Sequence, residues 1–103
     1  MDERNDVREF YRRELTRALN EQRFGISSGS EVTRFTENEA EAKLTLLEGE
    51  TIHVVLSSAG YKVSTQVRIY ETLDDLLAST SPAYAAQRFS ILVSRLQELS
   101  DGL

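Results

Sequence analysis

The spacing of the apolar residues changes twice along the chain, and this change limits the fold more than any other feature. From Glu3 to Arg23 apolar side chains recur every three or four residues, which predicts an amphipathic helix. From Ala40 to Ile69 they alternate with other residues, which predicts strands. The helical spacing returns after Tyr70 and continues to Leu99. A chain of 103 residues can bury one hydrophobic core, so we expect a single domain over residues 1–103.

Two turn signals divide the strand region into three runs. They are Glu-Gly-Glu at residues 48–50 and Ser-Ala-Gly at 58–60, where Gly60 is suited to a positive φ. A fourth, weaker run lies at Val32–Phe35, after a connector at 27–30 that is expected to be flexible. Three to four strands joined by short turns form an antiparallel meander with one apolar face, which helices must cover. We therefore predict an α+β fold with an N-terminal helix, the meander, and two C-terminal helices packed on one sheet face.

The expected helix ends have local signals. Thr72 followed by Asp75 resembles a capping box, and Ser81 before Pro82 is a typical N-cap with proline at the first helical position. Gly25 is expected to end the first helix from a left-handed conformation. The residues Asp-Gly at 101–102 are expected to end the last helix.

The inventory of reactive residues argues against an enzyme. The chain has no cysteine, which excludes disulfides, thiol catalysis and zinc ribbons, and His53 is its one histidine. His53 lies within a predicted strand, without a recognisable carboxylate partner, and is interpreted as a sheet residue. The glycines match no nucleotide-binding motif, and the six glutamates within residues 31–50 match no calcium loop. We expect no catalytic residue, no metal site and no cofactor.

Charge and hydropathy restrict the partners and the location. Acidic residues outnumber basic ones by 17 to 12, and the net charge of −5 argues against a nucleic-acid-binding surface. No apolar run approaches the roughly 18 residues of a membrane span, and the N-terminus is too charged for a secretory signal. A cytoplasmic location, or a nuclear one, is expected.

The last helix is the main candidate for a binding surface. Its apolar residues follow the i, i+3, i+4, i+7 spacing with which a helix docks into a groove; they are Phe89, Leu92, Val93, Leu96 and Leu99. The same residues could pack on the sheet instead, and the sequence leaves both interpretations open. The first helix is a second candidate partner surface, formed by Val7, Tyr11, Leu15 and Ala18.

Four motifs in the second half of the chain carry a resemblance to a known family. They are Leu56-x-x-Ala59-Gly60-x-Lys62-Val63, Glu71-Thr72-x-x-x-Leu76-Leu77, Ser81-Pro82-Ala83-Tyr84 and Arg95-Leu96-x-x-Leu99. In this order and spacing they resemble the GSKIP domain family, named for the glycogen synthase kinase-3 interaction protein. The similarity covers about residues 15–102.

The resemblance implies a small cytoplasmic scaffold that is not an enzyme. The implied scaffold binds glycogen synthase kinase-3 through the last helix and could modulate the activity of the kinase. The leucine that matters most for docking in the family falls on Leu96, and its neighbours fall on Leu92, Val93 and Leu99. The family's phenylalanine in this helix falls on Arg88, and Phe89 stands one residue later.

Animal members of the family also anchor the regulatory subunit of cyclic-AMP-dependent protein kinase through the first helix. That function needs a continuous aliphatic stripe, whereas the matching positions here hold Tyr11, Arg12, Leu15 and Thr16. We therefore do not expect this second partner. The same domain type occurs in clustered-mitochondria proteins, so the alternative is a general interaction domain, or a homodimer, with a partner other than the kinase.

Overall fold

The computed structural model of the protein describes residues 9–101, excluding the side chains of residues 28, 100 and 101. The described chain forms, in order, α1 (Phe10–Glu21), β1 (Ile26–Phe35), β2 (Glu39–Leu46), β3 (Thr51–Ser57), β4 (Gly60–Val63), α2 (Leu73–Thr80) and α3 (Pro82–Asp101). A short 3-10 turn, Arg23–Gly25, joins α1 to β1. The predicted α+β fold, with one helix, an antiparallel sheet and then two helices, is confirmed.

The sheet has the strand order β1-β2-β3-β4, and every neighbouring pair is antiparallel. Alternate residues of β2 point to the core and are fully buried, such as Ala42 and Leu44. Leu15 of α1 and Leu76 and Leu77 of α2 are likewise fully buried in this cluster. An apolar sheet face must be covered, and α1 and α2 cover the apolar face that the alternating pattern of β2 creates.

β1 is longer than the sequence indicated. Residues 27–30, which were expected to form a flexible connector, belong to the strand. The pairing with β2 shifts between Ser27 and Glu31 and again between Val32 and Arg34, and Gly29 adopts a φ of +99°. Irregularities of this kind bend a strand and hide its regular alternation, which explains why periodicity did not reveal the first part of β1.

β4 is shorter than the sequence indicated. The alternation from Tyr61 to Ile69 predicted one strand, but β4 ends at Val63, where the Gln66 amide donates to the Val63 carbonyl and closes a turn. Val67 is 93% exposed, so its place in the alternating pattern does not reflect burial. Tyr70 then returns to the sheet and exchanges two backbone hydrogen bonds with Tyr61, of 2.7 and 2.8 Å.

The predicted starts of the last two helices are confirmed, the predicted start of the first helix near Glu3 lies outside the described residues, and the predicted end of the first helix is wrong. The Thr72 hydroxyl accepts from the Asp75 amide at 3.2 Å, and the Ser81 hydroxyl accepts from the Tyr84 amide at 3.1 Å. Gly25 does not have a positive φ and lies in the 3-10 turn that follows α1. Gly102, which was expected to end the last helix, lies outside the described residues.

α3 begins in the core and then leaves it. Tyr84 in its first turn is fully buried, whereas every residue from Leu92 to Leu99 is exposed. Its main contacts are with α2 and with the 3-10 turn. The described molecule measures 51 × 32 × 24 Å, an elongated shape that a 20-residue helix, about 30 Å long, explains.

Candidate partner-binding surface

Five exposed apolar side chains lie together on α3, and we call them the apolar stripe. Their exposed fractions are 69% for Phe89, 50% for Leu92, 36% for Val93, 65% for Leu96 and 70% for Leu99. At about 100° per residue they occupy an arc of about 120° on the helix. The structure therefore brings all five sequence-predicted residues onto one surface, and it leaves that surface uncovered by the described part of the domain.

The first turn of α3 is held by a carboxylate from the β2–β3 turn. Glu48 accepts a hydrogen bond from the Ser81 hydroxyl at 2.6 Å and another from the Ala83 amide at 2.8 Å. Both donors favour the charged carboxylate, so the Ser81 hydroxyl first and the Ala83 amide second lower the pKa of Glu48. A negative charge also interacts favourably with the N-terminus of a helix. The turn between two strands thus fixes where α3 starts.

Tyr84 ties the same turn to the end of α1. Its hydroxyl donates to the Gln22 side-chain oxygen at 2.6 Å, and its ring stacks on Phe24 at a centroid distance of 5.6 Å. Burial raises the pKa of Tyr84, since the charged phenolate is disfavoured away from water. Two anchors, Glu48 and Tyr84, therefore hold the N-terminal part of α3 while the apolar stripe projects beyond them.

The interactions at Glu48 were not visible in the sequence. Its partners Ser81 and Ala83 lie 33 and 35 residues further along the chain, and no local spacing signals a contact of that range. In the sequence this glutamate is one of the six within residues 31–50, which match no calcium loop. Only the packing of α3 beside the β2–β3 turn gives it a specific role.

His53 lies on the polar face of the sheet and does have a carboxylate neighbour. Its Nδ1 atom lies 3.6 Å from Glu41 on the adjacent strand, and Glu41 also pairs with Arg34 at 3.1 Å. Sequence reasoning missed this neighbour because the pairing of β2 with β3 creates it. Within residues 9–101, no group of three or more histidine and acidic side chains could hold a metal ion.

The second candidate surface, on α1, is largely committed to the core. Leu15 and Ala18 are buried, and Tyr11 packs against the same cluster. Val7 lies outside the described residues. The outward face of α1 carries arginines that pair with glutamates of the same helix, as Arg17 does with Glu14 and Glu21. A partner for α1 stays a prediction, and the buried residues would not be free to contact one.

Comparison with protein families identifies the type of domain. The model of the GSKIP domain family matches residues 11–99, a span from the first helix to the last leucine of the apolar stripe. No curated protein matches the chain. Among the helices of the described residues, none is long and apolar enough to cross a membrane.

Proposed function

The chain belongs to the GSKIP domain family, and from this membership we propose that it is a non-catalytic adaptor that binds glycogen synthase kinase-3 through the apolar stripe of α3. The exposure of the apolar stripe carries the proposal. A helix whose N-terminal turn is already anchored in the core does not need these side chains for folding. They are free to bury apolar surface against a partner.

The pattern of the apolar stripe supports docking into a groove. Leu96 lies at its centre, three and four residues from Leu99 and Leu92, so a groove that receives the helix would bury it most completely. Burying one leucine side chain contributes about 1.5–3 kcal/mol. Residues at the centre of an interface also tend to dominate the binding energy. Leu96 is therefore the side chain on which we expect affinity to depend most.

The burial of the inner face of α1 supports the expectation that the regulatory subunit of cyclic-AMP-dependent protein kinase is not a partner. Anchoring by this helix would require its aliphatic residues at the surface. Leu15 and Ala18 instead complete the core beneath the sheet.

A titration of purified glycogen synthase kinase-3 with the native chain and with Leu96→Ala tests the proposal. We expect the affinity to fall by tenfold or more, which corresponds to a loss of about 1.4 kcal/mol or greater in binding free energy. Because alanine is a good helix former, the circular dichroism spectrum should be unchanged. Val67→Ala removes an even more exposed apolar side chain from another surface, and Gln97→Ala changes the neighbouring residue of the same helix. Both controls should bind as the native chain does.

The absence of kinase binding by a well-folded native chain would contradict the proposal. If such a chain were dimeric in solution, and Leu96→Ala made it monomeric, the apolar stripe would be a homodimer interface instead. Measurement of the molecular mass in solution separates these two results.

A further inference from the structure

A pocket with a volume of about 400 Å³ lies between α1, the β3–β4 turn and the start of α2. No described residue that lines it belongs to α3, so the pocket is separate from the apolar stripe. Leu56 and Leu73 form buried apolar walls, and Phe10 contributes an aromatic ring that is 54% exposed. The pocket therefore offers apolar and aromatic contacts to a group that enters from solvent.

Negative charge predominates in this pocket, which is lined by four carboxylates; they belong to Glu14, Glu21, Glu71 and Asp74. Arg17 is the one cation among the described lining residues, and it is shared between Glu14 and Glu21. Arg88, from outside the pocket, pairs with Asp74 at 3.4 Å, whereas Glu71 forms no ion pair with any of residues 9–101. The start of α2 adds a partial positive charge of only about half a unit. Two guanidinium groups and a helix end thus leave the four carboxylates incompletely compensated.

The hydroxyl of Tyr61 points into the pocket without a hydrogen-bond partner. Tyr61 is only 8% exposed and lines the pocket. The hydroxyls of Tyr70 and Tyr84 donate to other side chains, but that of Tyr61 forms no hydrogen bond within the described part of the chain. Burial raises the pKa of Tyr61, and the carboxylate of Glu14 raises it further, which indicates that the hydroxyl lies near the acidic lining. Because buried polar groups normally have partners, this oxygen is an open position for a polar group of a ligand.

We infer that this pocket binds an arginine side chain of a partner protein. A guanidinium group carries five donors on a flat frame, so it can donate to the Tyr61 hydroxyl, pair with Glu71 and stack on the ring of Phe10. The methylene groups of the same side chain would contact the apolar walls. Lysine matches the charge but has neither the planar fork nor the stacking surface. The inference concerns a second binding site and does not depend on binding of the kinase by the apolar stripe.

A nuclear magnetic resonance titration of the full chain with short peptides tests the inference. The probe is the peptide Gly-Ala-Arg-Ala-Gly-amide, which we expect to bind in the millimolar range and to shift the amide signals of residues 56–61 and 71–74. Replacing its arginine by citrulline keeps the shape and removes the charge, and should weaken binding by about tenfold or more. The lysine peptide should bind more weakly than the arginine peptide.

Two substitutions test the assigned contacts. Tyr61→Phe removes the hydroxyl and keeps the ring, and should weaken binding of the arginine peptide by about threefold to tenfold. Its melting temperature should equal or exceed that of the native chain, because no internal hydrogen bond is lost. Glu71→Gln removes a charge that has no partner in the domain and should weaken binding by about twofold to fivefold.

Matched controls come from outside the pocket. Tyr70→Phe removes a hydroxyl that donates to Ser79, and Glu50→Gln makes the same change of charge at the other end of β3. Both should bind the arginine peptide as the native chain does. Thermal unfolding of each variant identifies any loss of affinity that follows from loss of the fold.

Three results would overturn the inference. Equal binding of the citrulline peptide would show that the charge of the ligand is not recognised. Equal binding of the lysine peptide would remove the preference for a guanidinium group. Native affinity in folded Tyr61→Phe and Glu71→Gln, or a lower melting temperature of Tyr61→Phe, would show that these side chains do not form a ligand site.

Discussion

The ring of Tyr84 occupies the space where a side chain of Gly25 would lie. A Cβ atom placed on Gly25 would be 2.1 Å from Cδ2 and 2.5 Å from Cε2 of that ring, distances at which the atoms overlap. The ring cannot move away easily, since Tyr84 is fully buried and its hydroxyl is bonded to Gln22. Position 25 therefore requires glycine for its lack of a side chain.

Gly25→Ala should destabilise the protein by about 1–3 kcal/mol or more, because an added methyl group in a packed core forces the neighbouring groups to shift. Chemical unfolding measures the loss. Gly25→Asn distinguishes a steric clash with the ring from a requirement for a left-handed backbone, because asparagine tolerates the left-handed conformation well. We expect Gly25→Asn to be at least as unstable as Gly25→Ala, and native stability of that variant would contradict the steric explanation.

The hydrogen bond between Tyr84 and Gln22 should stabilise the junction of α1 and α3. Tyr84→Phe removes the hydroxyl and keeps the ring, so we expect a loss of about 0.5–1.5 kcal/mol in the free energy of unfolding. A double-mutant cycle with Gln22→Leu measures the coupling between the two side chains. Strictly additive effects would show that the bond contributes nothing to the fold.

Stability should fall in acid partly through Glu48. Its pKa is lowered in the folded state by hydrogen bonds from the Ser81 hydroxyl and the Ala83 amide. As the pH falls, Glu48 is therefore protonated in the unfolded chain before it is protonated in the folded chain. Its contribution to stability is present above the ordinary carboxyl pKa of about 4.3 and is lost as the pH falls below that value. Glu48→Gln should lower the melting temperature at pH 7 and flatten its decline in acid. Glu50→Gln makes the same change of charge beside the same turn and serves as the matched control.

The leucines of the two C-terminal helices should differ sharply in their effect on stability. Leu76→Ala leaves a cavity in the core, where Leu76 is fully buried, and should cost about 2–5 kcal/mol. Leu96→Ala changes an exposed side chain and should alter stability by about 0.5 kcal/mol or less. Urea unfolding of both variants provides the comparison. A large loss from Leu96→Ala would show that the apolar stripe belongs to the core in solution.

The sequence predicted those features that depend on neighbouring residues. Thr72 and Ser81 cap their helices because an N-cap hydroxyl needs only an amide three residues later, and that spacing is visible in any sequence. The spacing of the apolar stripe was visible for the same reason. Whether these residues face the sheet or solvent depends on where the helix is anchored, and periodicity carries no such information.

Most of the features that the sequence did not reveal depend on distant contacts. Gly25 appeared to be a helix end because the ring that requires it belongs to a residue 59 positions later. Val67 and Ile69 continued an alternating pattern, yet Ile69 is half-exposed and the strand had already ended. Glu48 and Glu41 found specific partners only through the arrangement of the strands. For Gly25, Glu41 and Glu48 the deciding contact joins two elements, whereas the turn that ends β4 is closed by a local hydrogen bond from Gln66 to Val63.

The projecting helix is held at its N-terminal end by Glu48 and Tyr84. From Pro82 to Leu99 the helix axis extends about 25 Å. A tilt of only about 10° at the held end therefore displaces Leu99 by about 4 Å. A displacement of that size equals nearly the diameter of a methyl group and would misalign the leucines with any rigid groove. The direction in which the apolar stripe points is thus governed by two side chains at the opposite end of the helix.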